Sequence, residues 1–458
     1  MAMSLDDEEE PWRTPAWLYP SILIATAAVL FYRFRVLSSK DFSKGVKPFL
    51  PALSPSASFL SFQRRFLGVF FLAIATEELQ SIYGESFLAH KGFQRDRIAL
   101  YLVLSHLTCL ILGPFSGILS DHIGRKRACI FYCLLQLIGS LAKQSSINGI
   151  LWSASVCHGL SISLLSSVFE SWLVTEHEKS GFRQEWISDT FWMMTFGASV
   201  IAIGTGGLSN YLVVKQSLGI TAPSLAAAVV AGISAVFVLF WEENSSPSHA
   251  KLLGTCRNVL ALCCEKKIIL LGCTHACLLF ASTVFWFLWT PTLVADGRGL
   301  HSGLLFPCLM ASEMLGSAIS AMVLYGPWTL RPEDFLRWVY ACAAFSMMIP
   351  AYDYQEIGVL VSAFCIFHVC FGISWPFLAR LRSIYIPNEH RAAVITMFQV
   401  PAHAAAVFIL INGSINQQLE NSRIFAMSII GLLLGVYCFH LLNHSTKQSL
   451  ETPSTERP

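Results

Sequence analysis

Apolar runs of about 17 to 25 residues recur along most of this 458-residue chain, with short polar stretches between them. A helix of that length crosses the hydrocarbon core of a bilayer. The pattern predicts spans near 66–88, 98–120, 128–142, 150–174, 187–213, 222–241, 268–294, 303–325, 335–350, 357–379, 392–411 and 424–442. One more run, from Trp17 to Val36, stands ahead of them. Residues 242–267 mark the middle: polar through Glu242, Glu243, Asn244, Ser245, Ser246 and Pro247, then weakly amphipathic. They divide the body into two sets of six spans, as two parallel repeats would be divided. The expected fold is an all-α membrane protein of two six-helix bundles plus one extra N-terminal transmembrane helix.

On this reading residues 1–16 are an acidic tail, 17–37 the extra helix, and 38–65 a linker interrupted by Pro48, Pro51 and Pro55. Residues 66–241 make the first bundle, 242–267 a central cytoplasmic loop, 268–442 the second bundle, and 443–458 a C-terminal tail. Secretory signals open on basic residues and transit peptides are poor in acids. Asp6, Asp7, Glu8, Glu9 and Glu10 therefore favour a retained helix over a cleaved leader. Charge sets the orientation. Fourteen Lys and Arg fall in loops assigned to the cytoplasm, Arg125, Lys126, Arg127, Arg380 and Arg382 among them, against seven in the outer loops. That bias is the one positive-inside insertion produces.

Composition narrows the classes. Hydrophobic residues make up 54% of the chain and charged ones 13%, about half the charge of a soluble domain, and the mean hydropathy is +0.56. A net charge of +2, with no basic stripe, gives no footing for nucleic acid. The 14 cysteines lie scattered through apolar segments and read as buried, reduced thiols rather than disulfides or zinc ligands. No nucleophile–base set, phosphate loop or metal cluster marks an enzyme, so neither cofactor nor metal is expected.

Polar groups inside spans are costly and usually face a cavity or another helix. Between the second and third runs lies Gly117-Ile-Leu-Ser-Asp121-His-Ile-Gly124-Arg125-Lys126-Arg127. Asp121 is placed to cap the following helix, and Gly124 to allow a backbone turn that a side chain would obstruct. Arg125 and Lys126 hold the turn inside and can pair with Asp121. Its counterpart in the second half, near residue 326, is degenerate: Tyr325-Gly326-Pro327-Trp328 with Arg331 and Asp334 beyond.

In the first body span Glu77 and Gln80 share a face, Glu78 lies about 100° round, and Tyr83 follows. At least one of the adjacent acids lines a path or carries a proton, unless both reach water at the outer end. The fourth span carries Ser155, His158, Ser161, Ser163, Ser166, Ser167 and Glu170. Hydroxyls at such spacing suit close helix packing, and Glu170, near the inner face, suits a loop base. His106, His158, His275, His368 and His403 all fall inside spans, where an imidazole is either a satisfied hydrogen-bonding group or a proton relay. Glu313 is the clearest intramembrane acid of the second half, and Thr290-Pro291, Trp375-Pro376 and Val400-Pro401 kink or break helices.

The G-x-x-x-D-x-x-G-R-K turn resembles the signature of major facilitator superfamily transporters. Much of 60–440 further resembles one branch, the molybdate-anion transporter family. The match runs through Phe62 to Tyr83 with Leu79-Gln80, Phe169-Glu170-Ser171-Trp172-Leu173, Phe287-Leu288-Trp289-Thr290-Pro291, Met314-Leu315-Gly316-Ser317 and Tyr385-Ile386-Pro387. The resemblance implies a thirteen-span transporter, extra N-terminal helix included, that takes up molybdate at the cell surface by alternating access. Together with the polar residues read inside the spans, it puts Glu77, Gln80, Tyr83, Ser155, His158, His275, Glu313, His368 and Gln399 along the substrate path, and Asp121, Gly124, Arg125, Lys126 and Glu170 at an inner gate. Several positions depart from the family pattern. An Asp-Trp-Leu-Gln-Gly-Pro-Tyr run is Glu77-Glu78-Leu79-Gln80-Ser81-Ile82-Tyr83 here, a Gly-Arg pair is Ala154-Ser155, a Gln and a Glu are His275 and Leu279, another Glu is His368, and an Arg is Gln399.

A divalent oxyanion at the midplane needs bases or helix N-termini around it, and no Lys or Arg lies well inside these spans. Histidines and hydroxyls remain, beside Glu77, Glu78 and Glu313. An anion could enter together with a proton if a histidine charges with it. A neutral or cationic solute fits the same inventory. Three readings stand: a molybdate carrier, a proton-coupled carrier of another small solute, and a membrane receptor or scaffold without transport. The partners expected are that solute, the lipid bilayer and protons.

Overall fold

Inside a bilayer a backbone group finds no water, so a chain this apolar must satisfy its N–H and C=O groups helix by helix. The computed structural model describes residues 12–38, 55–241, 252–294, 300–301, 305–325, 331–352 and 356–451. The extra helix is α1, Leu18–Ser38. The first half of the body holds α2 (Ala57–Ser81), a short α3 (Gly84–His90), α4 (Arg95–Ile123), α5 (Arg125–Ala142), α6 (Asn148–Lys179), α7 (Gln184–Asn210) and α8 (Ala222–Leu239). After α9 (Leu252–Cys263), the second half holds α10 (Lys266–Leu293), α11 (Leu305–Tyr325), α12 (Pro332–Ala351), α13 (Ile357–Tyr385), α14 (Arg391–Ile409) and α15 (Asn421–Glu451). Wider turns extend α7 through Lys215 and α14 through Ile415. Ten of the described helices are long and apolar enough to cross a membrane. The fold is all-α, and the protein is a multi-pass membrane protein.

Ser56 starts α2. Its Oγ accepts the Phe59 N–H at 3.2 Å, which satisfies a donor the helix cannot. The helix therefore begins well before the expected residue 66, and Glu77, Glu78 and Gln80 fall in its last two turns rather than at mid-span. Pro55 precedes the cap, where it breaks no helical bond. The acidic run 6–10, linker residues 39–54, the polar stretch 242–251, the degenerate turn at 326–330 and the tail beyond 451 lie outside the described residues.

Each half has its own apolar core. Phe66, Phe169, Trp172 and Trp241 fill the first, with the Trp172 and Trp241 rings stacked 3.9 Å apart. Tyr340, Phe285, Phe364 and Phe367 anchor the second. In a bilayer such rings hold a bundle by close packing rather than by leaving water, so each half is held together from within. The halves meet chiefly along α4 against α14 and α7 against α11. Helix α1 packs on α11, and its Arg33 pairs with Asp189 of α7 at 2.6 Å while covering the Trp192 ring. Trp12–Arg13 pairs in parallel with Leu300–His301.

Candidate functional site

The chain turns from α4 into α5 on one residue. Gly124 takes φ 114° and ψ 140°, a conformation open to glycine and strained for other residues. Asp121 does not cap α5, whose N-cap is Gly124 and has no side-chain cap. Its carboxylate instead accepts the backbone N–H of Ala393, at 2.9 Å, in the first turn of α14 in the other half. A carboxylate is stabilised there by the helix dipole. Close approach of the two helices makes this possible: a Cβ on Gly117 would meet Thr396 Oγ1 at 2.3 Å and Ala392 O at 2.9 Å. Arg125 donates to Asp121 Oδ1 at 3.0 Å and also to Asn388 O across the same boundary. Lys126, expected beside Asp121, reaches the end of α8 within its own half and donates to Leu239 O at 2.9 Å and Trp241 O at 2.5 Å.

A second tie joins the halves at this end. Helix α13 runs on to Tyr385, past the expected residue 379, so Arg382 is a buried helical base and not a loop residue. It is 1% exposed. Arg382 Nε and Nη2 donate to the two oxygens of Glu170 at 2.9 and 2.5 Å, a paired geometry that suits a desolvated guanidinium. Arg382 stands in the last turn of α13, near the helix end rather than well inside the span, and it is already paired. Arg382 Nη1 also donates to His275 Nδ1 at 2.8 Å, which makes His275 the Nε2–H tautomer. That Nε2 is buried and has no partner among the described residues. Arg391 holds the end of α13, donating to the carbonyls of Arg382 at 2.8 Å and Ile386 at 2.7 Å.

Toward the opposite end, the acids of α2 sit in a polar cluster inside the first half. Glu77 Oε1 lies 3.3 Å from His158 Nδ1, and Glu77 accepts from Gln136, which also donates to Tyr132 OH at 3.2 Å. Gln80 donates to Gln136 Oε1. Lys143, just past α5, places Nζ 3.4 Å from Gln80 O, and burial pushes its ammonium down to about 8 against the pull of Glu77. In the second half His368 Nδ1 lies 3.6 Å from Glu313 Oε2, with the Phe285 ring edge-on to His368 at 4.6 Å. Glu78 lies within electrostatic reach of both Glu77 and Glu313, one from each half.

Further polar contacts join the halves, among them Ser317 Oγ of α11, which donates to Trp192 O of α7 at 2.7 Å. His106 Nδ1 of α4 and His403 Nδ1 of α14 are 3.0 Å apart, and Gln399 donates to Ser166 Oγ at 2.6 Å. Two residues expected on the path stand away from this set. Ser155 is fully buried and donates to Tyr101 O at 2.5 Å, a bond between two helices of one half. Tyr83 lies in the turn after α2, beyond the cluster. Sequence reasoning missed Gln136, Arg382 and Asn388. Gln136 stood alone as an amide within an apolar run, a legible signal; Arg382 differs from Arg380 only in helical phase.

Two self-contained helical bundles, meeting across a membrane-embedded seam of buried acids, bases and histidines, define a membrane transporter of the major facilitator class. The model of a family described as sugar transporters with 12 transmembrane segments matches residues 51–368. The chain belongs to the molybdate-anion transporter family of this superfamily. It is 32% identical over 416 residues to the molybdate-anion transporter of Takifugu rubripes, covering 84% of each chain. It is 29% identical to that of Xenopus tropicalis, covering 87% of this chain and 90% of the other. Among solved structures it resembles a bacterial homologue of the iron transporter ferroportin in an outward-facing state, with TM-score 0.68, 14% identity, and coverage of 83% of this chain and 99% of that one. It also resembles the human organic anion transporter MFSD10 (TETRAN), with TM-score 0.65, 14% identity, and coverage of 82% and 99%. At that identity the likeness is one of fold.

Proposed function

We infer that this protein takes up molybdate by alternating access, as a carrier of the plasma membrane. The observation that carries the mechanism is the placement of the polar ties at the Asp121 end. Asp121–Ala393, Arg125–Asn388 and Glu170–Arg382 each join one half to the other there. Two bodies with separate cores, fastened through polar contacts, can exchange those contacts for water, because a hydrogen bond to a charged group contributes about 1.5–3 kcal/mol net. Opening that end while the other closes would pass a solute between them. Gly124 supplies the turn about which α4 and α5 hold their angle, and Lys126 fastens that turn to α8.

The substrate reading rests on the relatives named molybdate-anion transporter. On the path Glu77 and Glu313 each face a histidine, and His275 and Gln399 offer N–H groups at the seam. A tetrahedral oxyanion is well met by such donors once a positive charge accompanies it. The test is uptake of radiolabelled molybdate by cells deficient in molybdate uptake, at two pH values and with sulfate as competitor. Saturable uptake that rises at the lower pH is expected. No uptake by protein shown to be at the surface would remove molybdate as the substrate.

A further inference from the structure

His106 and His403 come from different halves, and their Nδ1 atoms are 3.0 Å apart. A nitrogen–nitrogen contact of that length holds one proton: one ring donates from Nδ1, and the other accepts with its lone pair. The donating ring then carries a bare Nε2. A further proton added there turns it into an imidazolium without breaking the contact, and the bond becomes the shorter, stronger kind in which the donor is ionised. A second added proton would put two N–H groups face to face, so the pair accepts one proton and resists another. His403 is buried and its Nε2 is unpartnered among the described residues, while His106 is only half-buried.

The surroundings decide what that charge would meet. His106 packs edge-on against Phe287 of α10, which offers no countercharge. From α6, His158 lies within electrostatic reach of His106 and is already beside Glu77, with Lys143 in turn within reach of His158. From α10, His275 lies within electrostatic reach of His403 and is held by Arg382, whose charge Glu170 balances. No carboxylate of the described residues is paired with either ring. A proton taken up by the pair would thus leave a positive charge at the seam without a protein anion of its own. The pair sits about 18 Å along α14 from Arg391, at 1.5 Å per residue.

We propose that the His106–His403 pair is a proton-binding site that bridges the two halves, and that its charge is the one an entering oxyanion neutralises. The proton would come from water on the side away from Asp121 and add to Nε2 of the donating ring. The oxyanion would then sit beside a cation that comes and goes with a proton, so the path carries no fixed base at this depth. The second part rests on the molybdate reading; the proton site itself does not.

The two parts are tested separately on full-length protein in lipid nanodiscs. Nitrogen-15 spectra of labelled histidine, taken without any solute from about pH 8 down to 5, a range that brackets imidazole titration, should show two rings coupled through a shared proton and gaining one proton together. His106→Asn and His403→Asn should each abolish that coupling. Two rings that stay neutral and uncoupled throughout would overturn the site, even if both variants failed to fold. Calorimetry with sodium molybdate in two buffers of different ionisation heat should then count about one proton taken up per anion bound, and none in either variant. An unchanged count in the variants would overturn the coupling. A shared proton with no molybdate binding at all would keep the proton site and remove molybdate.

Discussion

The carboxylate of Asp121 caps the first turn of α14 through the N–H of Ala393, 2.9 Å away, so an acid of one half terminates a helix of the other. Such a cap stabilises by about 0.5–2 kcal/mol, and the helix dipole adds to it when the cap is charged. Asp121→Asn keeps the acceptor and removes the charge. The halves should part more often at this end, by a factor of about 3 to 10 at 1.4 kcal/mol per decade. A cysteine placed at Thr396, which lies against Gly117, should then be alkylated faster by that factor, read by peptide mapping. An unchanged rate would show that the cap does not hold the seam.

Gly117 tests the same seam by volume instead of charge. A methyl there would overlap Thr396 Oγ1 at 2.3 Å and Ala392 O at 2.9 Å, and the backbone oxygen cannot rotate away. Gly117→Ala should push α4 off α14, costing about 1–3 kcal/mol as overpacking does. Molybdate uptake should fall at least tenfold while surface expression persists. Gly117→Ala together with Thr396→Ala, which removes the hydroxyl, should recover little, because the Ala392 carbonyl still blocks the methyl.

Glu170 and Arg382 make a desolvated ion pair, with side chains 7% and 1% exposed. Removing one partner of such a pair leaves a buried charge and costs about 3–5 kcal/mol, whereas replacing both is often close to neutral. Glu170→Gln should therefore lower the melting temperature in detergent more than the Glu170→Gln, Arg382→Met double variant does. If the single variant is the more stable of the two, the pair is not a stabilising tie. The double variant also frees His275 Nδ1, so its transport should stay impaired even where its stability returns.

The hydrophobic pattern carried the fold because a bilayer leaves a span little choice but a helix of a given length. Its limits show at the ends. Helix α2 starts at its Ser56 cap rather than where the apolar run becomes continuous, and α13 continues past the apolar run because Arg382 is met by Glu170. The Asp121 turn was legible as a motif, but its partner was not. Which helix N-terminus an acid caps depends on how two distant segments meet, and Ala393 offers only a backbone N–H that no side-chain pattern marks. The histidines were legible as five imidazoles inside spans; that two of them face each other across the halves is a matter of helical phase and tertiary approach.

Lys143 carries the clearest pH signature outside the spans. Burial holds its ammonium down to about 8 in the folded protein, against 10.5 for the free side chain. Between those values the unfolded chain binds the proton and the folded one does not, so stability rises with pH across that window. Below about pH 8 both states are charged and the full cost of burying the ammonium, roughly 3 kcal/mol, is felt. Lys143→Met removes the charge while keeping most of the stem that packs near Gln80. The variant should melt several degrees above the wild type near neutral pH, and the gap should close as pH climbs toward 10.5. Melting curves in detergent at a series of pH values measure this directly. A gap that is constant with pH would mean that the Lys143 ammonium reaches water in the folded protein.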